Sequence, residues 1–235
     1  MLIHEGSVPE ERDVATTATT ELALRYDLQR VIWDWNGTLL DDVSLVVDIM
    51  GELLREHGLP ALDVARYLEI FEFPTQKYYQ KLGFGPAHPS FETLATRFME
   101  QYERRVLECS LHAGAGEALE RFRERGIANV ILTAGKQTSV ERQLKHFGLR
   151  ELVTEVVGSG DHFAGPKDAL AFNWLRERQF VPQSMVYIGD TVHDFEVATS
   201  MRVRCVLVPH GHNSLRRLQA CRCTVASCLG ALWRD

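Results

Sequence analysis

Residues 30–42 read RVIWDWNGTLLDD, and this stretch carries the strongest indication of the fold. Arg30 to Trp33 form a short apolar run of the length of a buried strand, and Asp34 follows directly where such a strand ends. Gly37 and Thr38 come soon after, as is typical of a junction between a strand and a loop. A carboxylate at the end of a buried strand indicates the ligand-binding edge of an α/β sheet.

The chain beyond this junction divides into a helical part and an alternating part. From residue 44 to 111 apolar residues recur at helical spacing, with Ser44 as the predicted N-cap of the first helix, and no convincing strand interrupts them. After residue 112, predicted strands at 129–133, 153–157, 185–188 and 203–208 alternate with predicted helices at 117–125, 139–147, 168–178 and 195–201. This alternation favours a parallel sheet with helices on both faces.

We therefore predict a three-layer, Rossmann-like α/β core made of residues 29–43 and 112–235. An all-helical cap domain is predicted to be inserted at residues 44–111. The helices expected within it cover 63–71, 75–82 and 91–108, after the first helix that starts at Ser44.

The composition is that of a globular protein without a bias toward nucleic acid or membranes. The 235 residues are 45% hydrophobic and 25% charged, and the formal net charge is −6. A negative net charge disfavours nucleic acid and anionic membranes as partners, and no apolar run approaches the roughly 20 residues of a membrane span. We predict a small-molecule partner, and the sequence favours no particular oligomeric state.

The two ends of the chain carry weaker signals. Residues 1–28 have early acidic residues and no continuous apolar segment, so we predict a mobile tail and not a secretory signal. The five cysteines are odd in number and crowd toward the C-terminus, which favours a reducing cytoplasm over a disulfide framework. Those after His210 and His212 could ligate zinc, but their spacing matches no zinc motif, so buried free thiols are the favoured interpretation.

Polar side chains follow the apolar runs in four clusters. In chain order these are Asp34 with Asn36, Gly37 and Thr38; Thr133 with Ala134 and Gly135; Lys167; and Asp190 with Asp194. Because the carboxyl ends of parallel strands meet at one edge of a sheet, we expect these side chains to lie close together. A carboxylate nucleophile, a hydroxyl, an ammonium group and an acidic pair suit phosphoryl transfer.

Each cluster then has a predicted role. Asp34 attacks phosphorus and forms an aspartyl-phosphate, and Lys167 neutralises the charge of the nucleophile and of the phosphoryl group. Oxygens of Asp34, Asp190 and Asp194 form the hard site that magnesium prefers. The residues expected to bind the phosphoryl oxygens are Gly37, Thr38, Thr133, Ala134, Gly135 and Lys167.

In this order the clusters resemble the four motifs of the haloacid dehalogenase superfamily, over residues 30 to about 210. That family's motifs are D-x-D-G-T, then a Ser or Thr, then a Lys, then an acidic pair such as G-D-x-x-x-D. The resemblance and the helical insertion imply the phosphoglycolate phosphatase-like branch, with a helical C1 cap, magnesium as the cofactor and small phosphorylated metabolites as substrates. The resemblance also implies that the backbone carbonyl of Asn36 contacts the metal.

Asn36 is the departure from the family pattern. The family's phosphatases carry an aspartate there as general acid and base, a role generally worth about 10²- to 10⁴-fold in rate. Three explanations are open. The substrate has a leaving group that needs no proton or supplies its own acid; another residue such as His193 substitutes; or the protein binds phosphate compounds and turns them over poorly.

A second resemblance concerns Trp35, because Asp-Trp-x-Gly-Thr is similar to the first motif of phosphonoacetaldehyde hydrolases, which cleave carbon–phosphorus bonds. Those enzymes need a cap lysine for a Schiff base. Lys77 and Lys81 lie in a suitable part of the cap, although Thr75 falls closest to the required position, and solvated surface lysines are the plainer interpretation.

The remaining candidates have simpler interpretations. Asp41 and Asp42 are assigned to the hinge between core and cap, where loop acids are solvated or cap a helix. His210 and His212 are assigned to an exposed loop. At least one of four cap residues is expected to touch a leaving group: Phe73, Gln76, Lys77 or Tyr79.

Overall fold

The framework of the protein is a six-stranded parallel sheet, seen in a computed structural model that describes residues 28–160 and 167–232. The strands are β1 (Arg30–Trp33), β2 (Leu40–Asp41), β3 (Ser110–Leu111), β4 (Ala128–Lys136), β5 (Glu155–Ser159), β6 (Met185–Gly189), β7 (Arg204–Leu207) and β8 (Thr224–Val225). The order in the sheet is β5-β4-β1-β6-β7-β8, while β2 and β3 form a separate antiparallel pair. Since β1 pairs with β4 and β6, its carboxyl end lies near the middle of the sheet edge.

The described helices fall into two groups, four between β2 and β3 and five after β3. They are α1 (Val43–Glu56), α2 (Val64–Ile70), α3 (Thr75–Leu82), α4 (Phe91–Arg105), α5 (Ala115–Glu124), α6 (Gln137–His146), α7 (Lys167–Arg178), α8 (Val192–Ser200) and α9 (Leu215–Gln219). Helices α1–α4, called the inserted helices below, lie between β2 and β3. The predicted α/β fold with a helical insertion is confirmed, and the domain boundaries at 28/29, 43/44 and 111/112 stay predictions.

Helices cover both faces of the sheet. Because consecutive strand residues point to opposite sides, each strand contributes side chains to both faces. In β1, Val31 and Trp33 belong to the larger core cluster, which includes the buried faces of α5 and α6. Ile32, between them, belongs to a second cluster with Ala171 and Trp174 of α7 and the buried side of α8. This alternation produces the predicted three layers.

Several local predictions were wrong in detail. Ser44 is not the N-cap of the first helix, because α1 begins at Val43 and Asp42 takes the cap position. The helix expected at 195–201 begins at Val192, since Thr191 and Asp194 form a capping box. The last residues of the helix expected at 91–108 form a 3₁₀ turn. Strand β8 and the β2–β3 pair, each strand two residues long, were not predicted.

The predicted mobile tail at 1–28 lies, except for Leu28, outside the described residues. All five cysteines are free and partly buried. Within the described ranges, no helix combines the length and the apolar character that a bilayer crossing requires.

Candidate active site

Three aspartates meet at the carboxyl edge of the sheet, where β1 and β6 end side by side. Asp34 follows β1, and its backbone N–H donates to the carbonyl of Ile188 in β6 at 2.9 Å. Asp190 follows β6, and Asp194 lies in the first turn of α8. One carboxylate oxygen of each aspartate lies within 4.8 Å of the other two, and all three residues are buried. The structure therefore brings together the acids that the sequence singled out.

Lys167 lies among these acids as the first residue of α7, with only 3% of its surface exposed. Its Nζ donates to Oδ1 of Asp34 at 2.7 Å and to Oδ1 of Asp194 at 2.6 Å. Burial alone would lower the pKa of this ammonium group, but the two carboxylates outweigh burial and raise it. The side chain is therefore a buried ammonium group that is charged at neutral pH and in contact with Asp34.

Asp194 is held through both of its carboxylate oxygens. Oδ1 accepts from Lys167 and from the hydroxyl of Tyr187, and Oδ2 accepts from the Thr191 hydroxyl at 2.6 Å and from the backbone N–H groups of Asp190 and Thr191. Burial would raise the pKa of Asp194, but Lys167 and these donors hold it below the usual value. Asp194 thus positions Lys167 and the start of α8, and its role as a metal ligand stays a prediction.

The negative charges of Asp34 and Asp190 are less well compensated by their surroundings than the charge of Asp194 is. Burial raises the pKa of Asp34 to about 8, the neighbouring acids add to the rise, and Lys167 opposes it. Burial raises the pKa of Asp190 to about 6, although its carboxylate accepts from the Thr38 hydroxyl and the His212 N–H, both at 2.6 Å. A divalent cation beside both acids would offset this penalty, and a donor set made only of oxygens fits magnesium.

Glycines allow the backbone to pack directly against the acids. A Cβ added to Gly37 would lie 2.5 Å from Oδ2 of Asp190, and one added to Gly211 would lie 2.1 Å from the same atom. A Cβ on Gly189 would lie 2.4 Å from Cγ of Asp194. No side chain fits at these distances, so close backbone packing fixes the positions of both carboxylates.

The turn at the end of β4 lines the same cavity as Asp34. Thr133 is almost fully buried, and its Oγ1 accepts from the backbone N–H of Gly135 at 3.0 Å. Ala134 and Gly135 also line the cavity. The predicted phosphate-binding residues of β4 therefore lie where a phosphoryl group in contact with Asp34 could reach them.

Gly37 and Thr38 lie close by but make other contacts. The N–H of Gly37 donates to Oδ1 of Asp42 at 3.0 Å and to the carbonyl of Leu40 at 2.9 Å. The hydroxyl of Thr38 donates to Asp190. Neither residue is among the described lining of the cavity. Their contacts thus support a role in positioning acids and give no support to the predicted phosphate binding.

The side-chain amide of Asn36 has one defined orientation. Its Nδ2 donates to Oδ2 of Asp42 at 2.8 Å and to the hydroxyl of Tyr102 at 2.5 Å. Because a carboxylate only accepts hydrogen bonds, the nitrogen must face Asp42, and Oδ1 lies toward Gly135 at the cavity. An amide oxygen there can accept a hydrogen bond from water, but it can neither remove nor supply a proton.

Sequence reasoning missed a network that joins the hinge, the inserted helices and the loop after β7. Asp42 is 1% exposed, and its carboxylate accepts from the hydroxyl of Tyr102 at 2.7 Å and from Nε2 of His212 at 3.1 Å. Nδ1 of His212 lies 2.8 Å from the hydroxyl of Tyr67 in α2. Of the two expectations for Asp42, solvation was wrong, while Asp42 does take the N-cap position of α1; the expectation of an exposed His212 was wrong. The only signal in the sequence was the second acid of the pair Asp41-Asp42.

The contact between Asp42 and His212 is a buried ion pair. Burial would raise the pKa of Asp42, but His212 and the surrounding donors hold it below its usual value. Burial would lower the pKa of His212, but Asp42 outweighs burial and raises it to about 9. The two pKa shifts agree, so both groups are charged at neutral pH.

Asp42→Asn is expected to lower the free energy of unfolding by about 3 kcal/mol or more, because it leaves a charged imidazole buried without its partner. Chemical denaturation measures this change. Asp41→Asn is the matched control, since Asp41 is exposed and such substitutions usually change stability by less than about 0.5 kcal/mol. Equal losses in the two variants would show that the ion pair contributes nothing.

A cavity of about 190 Å³ opens over Asp34, between the sheet edge and the inserted helices. The apolar and aromatic side chains that form its upper wall are Val46, Tyr67, Phe71, Phe73, Phe98 and Met99. Of the side chains expected to touch a leaving group, only Phe73 lines this cavity. Gln76 and Tyr79 border a separate depression, and Lys77 is exposed, so the structure supports Phe73 among these four alternatives.

The residues considered as a replacement acid or as a Schiff-base amine do not line the cavity. His193 stacks on Phe73 with ring centroids 4.7 Å apart, in a neighbouring depression that does not include Asp34. Lys81 pairs with Glu72 at 3.0 Å on the surface. Residues 43–111 are all described, and no lysine among them lines the cavity. The inserted helices thus offer no amine for a Schiff base.

The zinc interpretation also finds no support. Within residues 28–160 and 167–232, the one group of three or more potential metal ligands is the aspartate cluster. His210 contacts the carbonyl of Thr38, and His212 is engaged by Asp42 and Tyr67.

Comparison with known proteins places this geometry in a family. The family model described as haloacid dehalogenase-like hydrolase matches residues 31–208. The chain therefore belongs to the haloacid dehalogenase-like hydrolases, as the four motifs predicted.

Individual relatives are more distant. The chain is 26% identical over 197 residues to a phosphoglycolate phosphatase of Synechococcus elongatus, covering 82% of this chain and 89% of that protein. It is also 26% identical over 186 residues to the tyrosine-protein kinase PtkA of Mycobacterium tuberculosis, covering 78% of this chain and 63% of that protein. Among solved structures, a predicted phosphoglycolate phosphatase from Haemophilus somnus superimposes with a TM-score of 0.72 at 16% identity, over 87% of this chain and 96% of that chain. This last likeness concerns the fold alone.

Proposed function

We propose that the protein is a magnesium-dependent phosphatase that hydrolyses a small phosphorylated metabolite through an aspartyl-phosphate on Asp34. The observation that carries this proposal is the contact of Asp34 with Lys167, beside two further aspartates whose oxygens lie within 4.8 Å. This is the charge arrangement that attack by a carboxylate on an anionic phosphate requires. The phosphatases among the relatives support the same reaction class.

The residues at this site have separate roles in the proposed reaction. A carboxylate oxygen of Asp34 bonds to phosphorus while the bond from phosphorus to the leaving oxygen breaks, and that oxygen departs with the electron pair. Lys167 offsets the negative charge of the nucleophile and of the phosphoryl group. Thr133 and the backbone at Gly135 bind phosphoryl oxygens. Water then attacks phosphorus, which releases inorganic phosphate and restores the carboxylate.

The proposed magnesium ligands are oxygens of Asp34 and Asp190, the backbone carbonyl of Asn36 and an oxygen of Asp194. When bound there, magnesium supplies positive charge that stabilises the charge developing on the phosphoryl oxygens. Asp190 is held by donors from Thr38 and His212, so its carboxylate keeps one position. This fixed geometry favours a small cation with strict coordination requirements.

The inserted helices are proposed to act as a cap over this site, with residues 44–111 as its boundaries. They supply one wall of the cavity, and Tyr102 of α4 connects them to Asp42 and Asn36. We propose a cytoplasmic location on the cysteine content alone. The carbon–phosphorus hydrolase alternative is disfavoured, because the inserted helices bring no lysine to the cavity.

The test is phosphate release by the full-length protein from a panel of phosphate esters, with magnesium and with a chelator. We expect release that depends on magnesium, and a phosphoryl group on Asp34 after rapid acid quenching. Magnesium-dependent binding of phosphate compounds without release or adduct would favour the non-catalytic alternative left open by Asn36. The absence of release, adduct and binding would contradict any phosphate chemistry at this site.

Gly211→Ala is expected to weaken magnesium binding by at least about 10-fold, because a Cβ there would meet Asp190 at 2.1 Å and displace this ligand. Magnesium titration calorimetry measures the affinity. Gly51→Ala is the control: this position in α1 has nothing within 4 Å of an added Cβ, so affinity should be unchanged and the helix slightly more stable. Unchanged affinity in Gly211→Ala would remove Asp190 from the set of ligands.

A further inference from the structure

The cavity wall made by the inserted helices contains no cation. The seven basic side chains of residues 43–111 are Arg55, Arg66, Lys77, Lys81, Arg97, Arg104 and Arg105. None of them lines the cavity over Asp34. Several are paired on the outer surface, such as Arg97 with Glu56 at 2.5 Å and Arg105 with Asp48 at 3.5 Å. A leaving group that projects from the phosphate toward these helices meets no positive partner from them.

The one charged side chain that the inserted helices bring to the cavity beyond the hinge is acidic. Glu103 of α4 lines the cavity, and its carboxylate accepts from the hydroxyl of Ser139 at 2.6 Å and from Arg142 at 2.7 Å. The positive side chains in the described lining are Lys136, Lys167 and His212; all come from the α/β core, and His212 is engaged by Asp42. Lys167 contacts two carboxylates, and Lys136 has a partner within the protein.

The rest of this wall is aromatic and apolar. Phe71 lies with its ring centroid 5.2 Å from that of Tyr67 and 5.4 Å from that of Phe73, and Phe98 stacks on Tyr102 at 6.2 Å. Such rings favour planar apolar groups by stacking and edge contacts. The volume of about 190 Å³ is below the roughly 300–1,000 Å³ of typical ligand pockets, so the leaving group must be small.

Asn36 restricts the leaving group in an independent way. Its amide cannot protonate a departing oxygen, and Asp42, Glu103 and His212 of the described cavity lining are already in contact with partners within the protein. A phenol ionises with a pKa of about 10, as tyrosine does, whereas the hydroxyl of water has a pKa of about 15.7. A phenolate therefore leaves without a proton far more readily than an alkoxide does.

From these two constraints we propose that the substrate is a phosphate monoester of a small, uncharged phenol. This proposal rests on the proposed phosphatase function and specifies its substrate class. Asp34 bonds to phosphorus as the phosphorus–oxygen bond breaks, and the aryl oxygen leaves as phenolate with the electron pair. Esters whose leaving group carries a carboxylate, such as phosphoglycolate, are disfavoured because that carboxylate would face an aromatic wall that offers no cation.

The test compares two esters of equal shape, 4-carbamoylphenyl phosphate and 4-carboxyphenyl phosphate, with full-length protein and magnesium. We expect kcat/KM to be about 10- to 100-fold higher for the neutral ester. In Met99→Lys, which places an amine on the apolar wall, this ratio should fall, whereas in the control Met99→Leu it should not change. Equal or faster turnover of the carboxylate ester, or of phosphoglycolate, would overturn the proposal.

Binding of unreactive analogues separates this proposal from the function on which it rests. Calorimetry with benzylphosphonate and 4-carboxybenzylphosphonate measures the preference of the cavity without turnover. Tighter binding of the neutral phosphonate by a protein that releases no phosphate would sink the phosphatase function and leave the cavity preference supported. Equal or tighter binding of the carboxylate analogue would overturn the cavity preference, whatever the turnover.

Discussion

Asp34→Asn is expected to reduce phosphate release by about 10⁴- to 10⁶-fold while it raises the melting temperature of the metal-free protein. Activity is lost because an amide oxygen is too weak a nucleophile to form the phosphoryl intermediate. Stability rises because burial and two neighbouring acids disfavour the ionised form of Asp34, as its raised pKa indicates. Lys167 keeps Asp194 as a partner in the variant. At this chain length, 1 kcal/mol corresponds to roughly 2–4 °C in Tm.

Asp168→Asn is the matched control for this experiment. Asp168 is the next residue after Lys167 in α7 and is exposed, so its substitution removes the same charge outside the site. We expect activity near that of the parent protein and a slightly lower Tm, because an acid in the first turn of a helix is stabilising. Turnover near that of the parent protein in Asp34→Asn would show that Asp34 is not the nucleophile. A Tm lowered as in Asp168→Asn would show that the charge of Asp34 is not disfavoured.

The second large effect is a gain: Asn36→Asp is expected to raise the hydrolysis rate of alkyl phosphates by about 10²- to 10⁴-fold. The new carboxyl oxygen would lie where Nδ2 now lies, 2.8 Å from Oδ2 of Asp42 and 2.5 Å from the hydroxyl of Tyr102. Two buried carboxylates at this separation share a proton, so the pair keeps one acid protonated near neutral pH. A protonated carboxyl beside the leaving group is the proton donor that the native chain lacks.

The dependence of the rate gain on the leaving group distinguishes an added proton donor from a general increase in activity. Kinetics with a series of esters should show a large gain for benzyl phosphate and a small gain for 4-nitrophenyl phosphate, because nitrophenolate needs no proton. Asn36→Leu, which supplies no acid, should show no gain on either ester. An equal gain on both esters in Asn36→Asp would contradict a missing proton donor as the limit on the native rate.

The acid cluster was predictable because its members occupy two kinds of position. Some follow an apolar run that becomes a central strand, and the others lie at the start of a helix next to such a strand. Asp34 and Asp190 follow β1 and β6, which pair with each other, so parallel pairing alone brings their side chains together. Lys167 and Asp194 lie in the first turns of helices that begin at the same edge. No long-range information was needed beyond the order of the strands.

The network around Asp42 was not predictable in this way. Asp42 and Tyr102 are 60 positions apart, and Tyr67 and His212 are 145 positions apart, so neither contact leaves a periodic pattern in the sequence. The same holds for Gly37, whose amide was assigned to phosphate but donates to Asp42. These contacts depend on how the inserted helices pack on the core.

The amino-acid sequence therefore predicted the class of fold, the helical insertion and the charged groups that meet at the sheet edge. It did so because hydrophobic periodicity is local and because parallel strands carry their carboxyl ends to one edge. Only the tertiary structure decided that Asn36 turns its nitrogen to Asp42, that His212 is buried and charged, and that the wall facing Asp34 is aromatic. Those features depend on side chains that distant segments bring within a few ångströms of each other.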